Sequence, residues 1–415
     1  MNLSNQPPKG TADWLPSEFA IRKYIFDTWR EVCTRFGYEE YLTPIIESAE
    51  IYRAKSGEDV GGKELMTMFD RAEREYAIRP EMTPSVTRMV SRIYNDTPKP
   101  IRLFSIANYF RNEKPQRGRN REFWQLNFDI FGTDSINADV EIIQMAIEIM
   151  KAFGASSSQF EILVNSKNTL LNRDEIKNQT PEVQTEAVRL IDKIEKLDRA
   201  EWIKQFIDRV GSTESDANKL YEDLTSEYPE ANQDEDIMQL LNKLEELGLK
   251  DYVRFSPKLA RGFDYYDGIV FEVFDKNPEN SRAMFGGGRY NGLGSLFGGA
   301  SMPAVGCAPG DETTKLFLES WGLIPDLKSQ ISNQKYYIPL LEENFNTDIQ
   351  SIATKLREEG KNVEVGLDVQ KMGKALEYAN KKEIGNVVIF GEMEKEKGEY
   401  IIKNMQSGEQ DNLKF

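Results

Sequence analysis

The stretch Phe110–Gly132 constrains this chain more than any other. Ile101–Phe110 is an apolar, β-prone run, and Phe123–Phe131 is a second. Two such runs in succession read as a hairpin, yet the connection is far longer than hairpin loops usually are. It also carries Lys114, Arg117, Arg119 and Arg121. A loop this long and cationic serves structure poorly and phosphate chemistry well, because guanidinium groups offer charged, forked donors. Side chains alternate faces along a strand, so Phe123, Gln125, Asn127 and Asp129 share one face of the second run. A face bearing an aromatic ring, two amides and a carboxylate has the character of a binding surface.

Bulk properties narrow the chemistry. At 415 residues the chain has room for two or three domains. No apolar run approaches the ~20 residues of a membrane span, and MNLSNQPPKG lacks a signal-peptide core, so a cytoplasmic protein is expected. Cys33 and Cys307 supply neither a disulfide framework nor a zinc set. Histidine is absent altogether, which excludes every mechanism that uses a histidine base, nucleophile or metal ligand. The formal net charge of −16 argues against nucleic acid only for the molecule as a whole. Phosphate contacts depend on local patches.

The remaining chain reads in blocks. Ser17 caps a helix to about Phe36, with Ile21, Ile25, Trp29, Val32 and Phe36 at helical spacing, and Glu39–Pro44 follows as a strand stopped by proline. LMTMFD and YAIR form a hairpin over 64–79, and Thr83-Pro84 opens a helix. Ala138–Gly154 is an amphipathic helix and Phe160–Leu163 a strand. From about 171 to 252 the chain turns to lysine- and glutamate-rich helices, with an acidic patch at Glu227–Asp236. Ser256–Phe274 reads as a hairpin turning at Asp267-Gly268. Met284–Gly299 reads as glycine-rich turns around Arg289 and Tyr290, and Met302–Ser320 as a strand entering a helix near Gly310. Beyond a polar linker, strands and helices alternate as in a small, mainly parallel α/β sheet.

Phe110-Arg111-x-Glu113, the loop Pro115-Gln116-Arg117-Gly118-Arg119, and Arg121-x-Phe123-x-Gln125 together resemble the second signature of the class II aminoacyl-tRNA synthetases, in particular the histidyl branch. The helix–strand–proline at the N-terminus resembles the first signature, which implies a homodimer. Arg261 with Tyr265-Tyr266 resembles one histidyl-specific segment, and Met284–Gly299 the other. By this resemblance Arg111 and Arg261 are catalytic. Arg111, Glu113, Arg119, Arg121, Phe123 and Gly310 bind ATP. Glu81, Thr83, Gln125, Asp129, Arg261, Tyr265, Tyr266 and Tyr290 bind histidine. Gln116 and Arg117, with Lys371 and Lys374 of the C-terminal unit, meet tRNA.

The resemblance implies an α+β protein. A class II antiparallel sheet flanked by helices fills residues 1–325, with the helical insertion at about 171–252. Residues 326–332 form a linker and 333–415 an anticodon-binding α/β domain. It implies activation of histidine with ATP and Mg2+ and transfer to tRNA(His), with no metal held by protein side chains. The alternative is a non-aminoacylating relative that regulates ATP phosphoribosyltransferase. One position departs from the pattern. Thr313 stands where the third signature carries an arginine. Loop arginines, chiefly Arg119, are expected to take over the outer phosphates of ATP. The competing expectation is that Asp311 and Glu312 hold phosphate-bound magnesium.

Overall fold

The computed structural model describes residues 4–54, 56, 59–226, 234–260, 265–280, 282–298 and 301–415. Two compact units divide the chain, Met1–Leu323 and Ile324–Phe415.

The first unit is built on an eight-stranded sheet. Its strands are β1 (Glu39–Glu40), β2 (Ile101–Phe110), β3 (Glu122–Phe131), β4 (Phe160–Ser166), β5 (Val253–Phe255), β6 (Ile269–Asp275), β7 (Ala283–Arg289) and β8 (Ala304–Cys307). They lie in the order β1-β2-β3-β8-β7-β6-β4-β5. Only the two outer pairings, β1 with β2 and β4 with β5, are parallel. The expected hairpin is the longest pairing, from Ile101 opposite Phe131 to Phe110 opposite Glu122.

Helices cover one face of this sheet. In α1 (Pro16–Arg35) the residues Arg22, Ile25, Phe26, Trp29, Val32 and Cys33 form the buried stripe. Phe26 packs on Trp124 of β3 at 5.2 Å, and Tyr38 meets Phe128 edge-on. The even-numbered side chains of β3 therefore face α1, and the odd-numbered ones, Phe123 to Asp129, face away from it. The helix begins one residue before the expected cap. Pro16 tolerates the first turn because its missing N–H had no partner there anyway, and Glu18 accepts the Leu15 N–H at 3.1 Å. Two further helices reach the site, α2 (Thr83–Ser91) and α4 (Asp311–Ser320), while α3 (Ile136–Ala152) packs against α1.

The lysine- and glutamate-rich region is helical, with segments at Pro181–Ile191, Arg199–Val210, Glu214–Thr225 and Glu235–Glu246. It has a core of its own that includes Leu190, Trp202, Phe206 and Leu220. Of the acidic patch, residues 227–233 lie outside the described residues. Asp234 caps the last helix through the Asp236 and Ile237 N–H groups.

Two readings change. Val253–Phe255 and Ile269–Asp275 are not a hairpin but flank β4 on opposite sides. Asp267 is not turn chemistry either; its carboxylate accepts the N–H groups of Asn291 and Gly292, opening a short 3-10 turn. In the glycine-rich segment Asn291–Phe297 is the expected turn, of 3-10 form, whereas the first half is strand β7 rather than turn. Its glycines allow close strand packing, since a Cβ on Gly287 would sit 2.1 Å from the Gly306 carbonyl.

In the second unit a five-stranded sheet runs Asn362–Val365, Lys335–Ile338, Asn386–Ile389, Glu399–Asn404, Gln410–Lys414. The first three strands are parallel and the last two antiparallel, so the sheet is mixed. The segment read as a polar linker is a short helix, Leu327–Asn333, capped by Asp326 on the Ser329 N–H. Among the described residues no helix is long and apolar enough to cross a membrane.

Candidate active site

The face of β3 turned away from α1 forms the floor of a cavity of about 240 Å³. Phe123, Gln125, Asn127 and Asp129 line it in sequence. The N-terminus of α2 contributes Glu81 and Thr83, the long loop Arg111, Glu113 and Arg119, and the segment before β6 Tyr265 and Tyr266. Tyr290 and Gly310 complete the set. One cavity thus gathers most of the residues singled out for ATP and histidine.

At the Asp129 end the site is buried and hydroxyl-rich. Tyr290 Oη donates to Asp129 Oδ1 at 2.6 Å, and Tyr265 Oη donates to Glu81 Oε2 at 2.8 Å. The Tyr265 ring lies 4.9 Å from Tyr266 and 6.0 Å from Tyr290. Asp129 is 2% exposed. Burial pushes its carboxyl up to about 7, with the Tyr290 hydrogen bond opposing that rise. The strand beside it makes room: a Cβ on Gly306 would stand 1.9 Å from Asp129 Oδ1. Any larger residue there would displace the Asp129 carboxylate.

The other end suits a nucleotide. Arg111 spends Nε on the Pro80 carbonyl at 3.1 Å and holds its guanidinium 5.0 Å over the Phe123 ring, which stacks on Tyr109. The long loop is folded on itself, with Gln116 and Arg119 exchanging backbone hydrogen bonds across Gly118, whose φ is +76°. Arg119 lines the cavity and stands 3.5 Å from Glu113. Arg117 and Arg121 do not line it. Arg117 reaches toward Glu279 at 3.9 Å, and Arg121 donates Nε to the Glu113 carbonyl. Gln116 is exposed on the same loop, and Lys371 and Lys374 are exposed in the second unit. Arg261 lies outside the described residues.

A histidyl-tRNA synthetase family model matches residues 10–310. The chain belongs to the histidyl-tRNA synthetase family. An anticodon-binding domain model matches residues 333–415. The histidine--tRNA ligase of Leptospira biflexa is 37% identical over all of this chain and 96% of that protein. That of Pyrococcus furiosus is 36% identical over 98% of this chain and 96% of its own length. Histidyl-tRNA synthetase from Nostoc sp. PCC 7120 superposes with a TM-score of 0.81 at 22% identity, covering 100% of this chain and 97% of that one. The α+β architecture, with its large helix-flanked sheet and C-terminal anticodon-binding unit, is that of this synthetase family.

Sequence reasoning missed what surrounds Thr313. Thr313 Oγ1 donates to the Met284 carbonyl at 2.8 Å. Arg22 of α1 is buried against the start of α4, hydrogen-bonding both Asp311 and Glu312 and lying 3.7 Å over the Trp14 ring. Asp311 also accepts the N–H groups of Trp124 and Glu312, at 3.0 and 2.8 Å. Asn120 donates to Glu312 at 2.9 Å. Asp311 is 0% exposed to solvent, lines the cavity with Glu312, and spends its carboxylate on Arg22 and the two N–H groups. A signal existed, since Arg22 stands on the same helical stripe as Phe26, Trp29 and Cys33.

Proposed function

We propose that the cavity activates histidine with ATP and that the chain transfers the activated histidine to the 3' end of tRNA(His). A carboxylate oxygen of histidine attacks the α-phosphorus, and the bond from that phosphorus to the bridging oxygen breaks. Pyrophosphate leaves with the electron pair, and histidyl-adenylate remains. A terminal ribose hydroxyl of the tRNA then attacks the acyl carbon, and AMP leaves. The first step needs no general base, only positioning and charge compensation. It is therefore compatible with a chain that contains no histidine.

The observation that carries this reading is the pairing of two chemistries on one strand. Asp129 and Tyr290 offer a carboxylate and a phenol at one end of the cavity. Arg111 over Phe123 lies six positions back along β3, about 20 Å away. In this reading Asp129, Tyr265, Tyr266 and Tyr290 enclose the imidazole, while Glu81, Thr83 and Gln125 take the ammonium. Arg111 and Arg261 meet the carboxylate and α-phosphate, Phe123 and Glu113 the adenine, and Arg119 the outer phosphates beside Gly310. Gln116, Arg117, Lys371 and Lys374 serve tRNA.

Magnesium, supplied with the nucleotide, would offset phosphate charge alongside Arg111 and Arg119. Among the described residues no group of three or more His, Cys, Asp or Glu side chains could hold a metal, and Asp311 is taken by Arg22. We assign no step to a protein-held ion. Leu42 and Phe69 are apolar yet 70% and 68% exposed, and a second copy of the chain, forming the homodimer, is their proposed cover. The proposed compartment is the cytoplasm. Labelled histidine should become acid-precipitable on tRNA(His) in the presence of ATP and the protein. A chain of the regulatory kind would leave the tRNA uncharged.

A further inference from the structure

Beneath Asp129 lies a buried polar cluster that the reading above leaves unused. The hydroxyl of Tyr41, the hydroxyl of Ser105 and the Oδ2 of Asp129 are each buried with no hydrogen-bonding partner in the protein. Ser105 is 0% exposed. These groups come from three adjacent strands. Tyr41 continues β1, donating its N–H to the Phe104 carbonyl of β2 at 2.8 Å. Ser105 is the next residue of β2 and stands directly opposite Asn127 of β3, two positions from Asp129. Directly opposed residues share a face, so Ser105, Asn127 and Asp129 lie on the same side of the sheet. Tyr41 packs against the same buried cluster as Tyr109, Tyr265 and Tyr290. The Asp129 charge acts on its hydroxyl from within electrostatic reach.

Buried polar atoms without protein partners are costly, and native interiors satisfy such groups through shared water or ligand. The chemistry is complementary. Tyr41 and Ser105 can donate, whereas the Asp129 carboxylate only accepts. Tyr290 fixes one carboxylate oxygen and leaves the other. We propose that Tyr41 and Ser105 are positioning residues for Asp129. Their hydroxyls clamp Oδ2 through a shared buried water, lock the carboxylate plane and so set the preference for the histidine ring. Tyr41 does not line the cavity, so it acts through Asp129 and not on substrate. This inference rests on the histidine-activating reading above.

The test is histidine-dependent ATP–pyrophosphate exchange by the full chain, with Tyr41→Phe and Ser105→Ala. Loss of one donor to a buried carboxylate should raise the KM for histidine about tenfold in Tyr41→Phe and roughly threefold in Ser105→Ala. The KM for ATP should stay within about twofold, because the clamp touches only the amino-acid end. Added to Asp129→Asn, Tyr41→Phe should have no further effect on histidine binding, since its only route is the carboxylate. Three results would overturn the inference: an unchanged histidine KM, an equal rise for histidine and ATP, or an effect that persists in Asp129→Asn. Should Tyr41→Phe fail to fold, Ser105→Ala is judged by the same criteria. If the wild-type chain shows no exchange with histidine, the functional reading falls and this inference with it. If wild type exchanges and both variants match it, only the inference falls.

Discussion

Asp129 concentrates the site's electrostatics. Its carboxyl is raised to about 7 by burial, against an ordinary value of 3.8. A folded-state value above the unfolded one means that the contribution to stability is fully present below about pH 4 and is lost as pH rises through about 7. Asp139 is buried and raised as well, so the comparison with Asp129→Asn is what isolates this group. The gap in melting temperature between wild type and Asp129→Asn should therefore shift against wild type between pH 5 and pH 8, as read by calorimetry without ligand. A constant gap would place the charge elsewhere. Gly306→Ala should act on the same carboxylate by pushing a Cβ into it, raising the histidine KM at least tenfold while sparing ATP. The alternation of Phe123, Gln125, Asn127 and Asp129 made this face legible in the sequence, because period two needs no tertiary knowledge. Tyr41 and Ser105 were not legible, since their partnership with Asp129 depends on which strands become neighbours.

Among the elements, α1 is tied to α4 by one buried cation. Arg22 holds Asp311 and Glu312 at the start of α4, and Asp311 in turn receives the Trp124 N–H of β3. Arg22→Met leaves a buried carboxylate uncompensated and should cost about 3–5 kcal/mol in urea unfolding. Arg22→Met combined with Asp311→Leu should recover only part of that loss, because the buried Asp311 charge is gone while Glu312 stays unpaired and the Trp124 N–H loses its acceptor. A stable single variant would mean that the pair is not energetically coupled. The departure at Thr313 was visible as a missing arginine, but not its companion, because residues 22 and 311 are distant in sequence. Asp267-Gly268 misled for the opposite reason. A strong local turn signal was used instead to cap the segment from Asn291. Where signals are local and periodic, as in α1 and the β2–β3 pair, sequence and structure agree.

At the scale of the whole molecule, the proposed activation site and the anticodon-binding match fall in different units. The cavity lies wholly within the unit ending at Leu323, and the second unit has a core of its own around Ile338, Phe345, Ile352 and Val388. A chain ending at Leu323 should keep pyrophosphate exchange while its tRNA charging falls by at least tenfold, since the C-terminal unit contributes affinity for RNA through phosphates and bases. Charging equal to that of the full chain would remove residues 333–415 from the tRNA account. The molecule is acidic overall at −16, so in the proposed reading local basic segments such as Lys114–Arg121 meet the phosphate partners. The central claim is that this cavity activates histidine. It is tested most directly by ATP–pyrophosphate exchange measured with each of the standard amino acids in turn. Exchange that depends on histidine and on no other amino acid is the predicted result; exchange with a different amino acid, or with none, would contradict it.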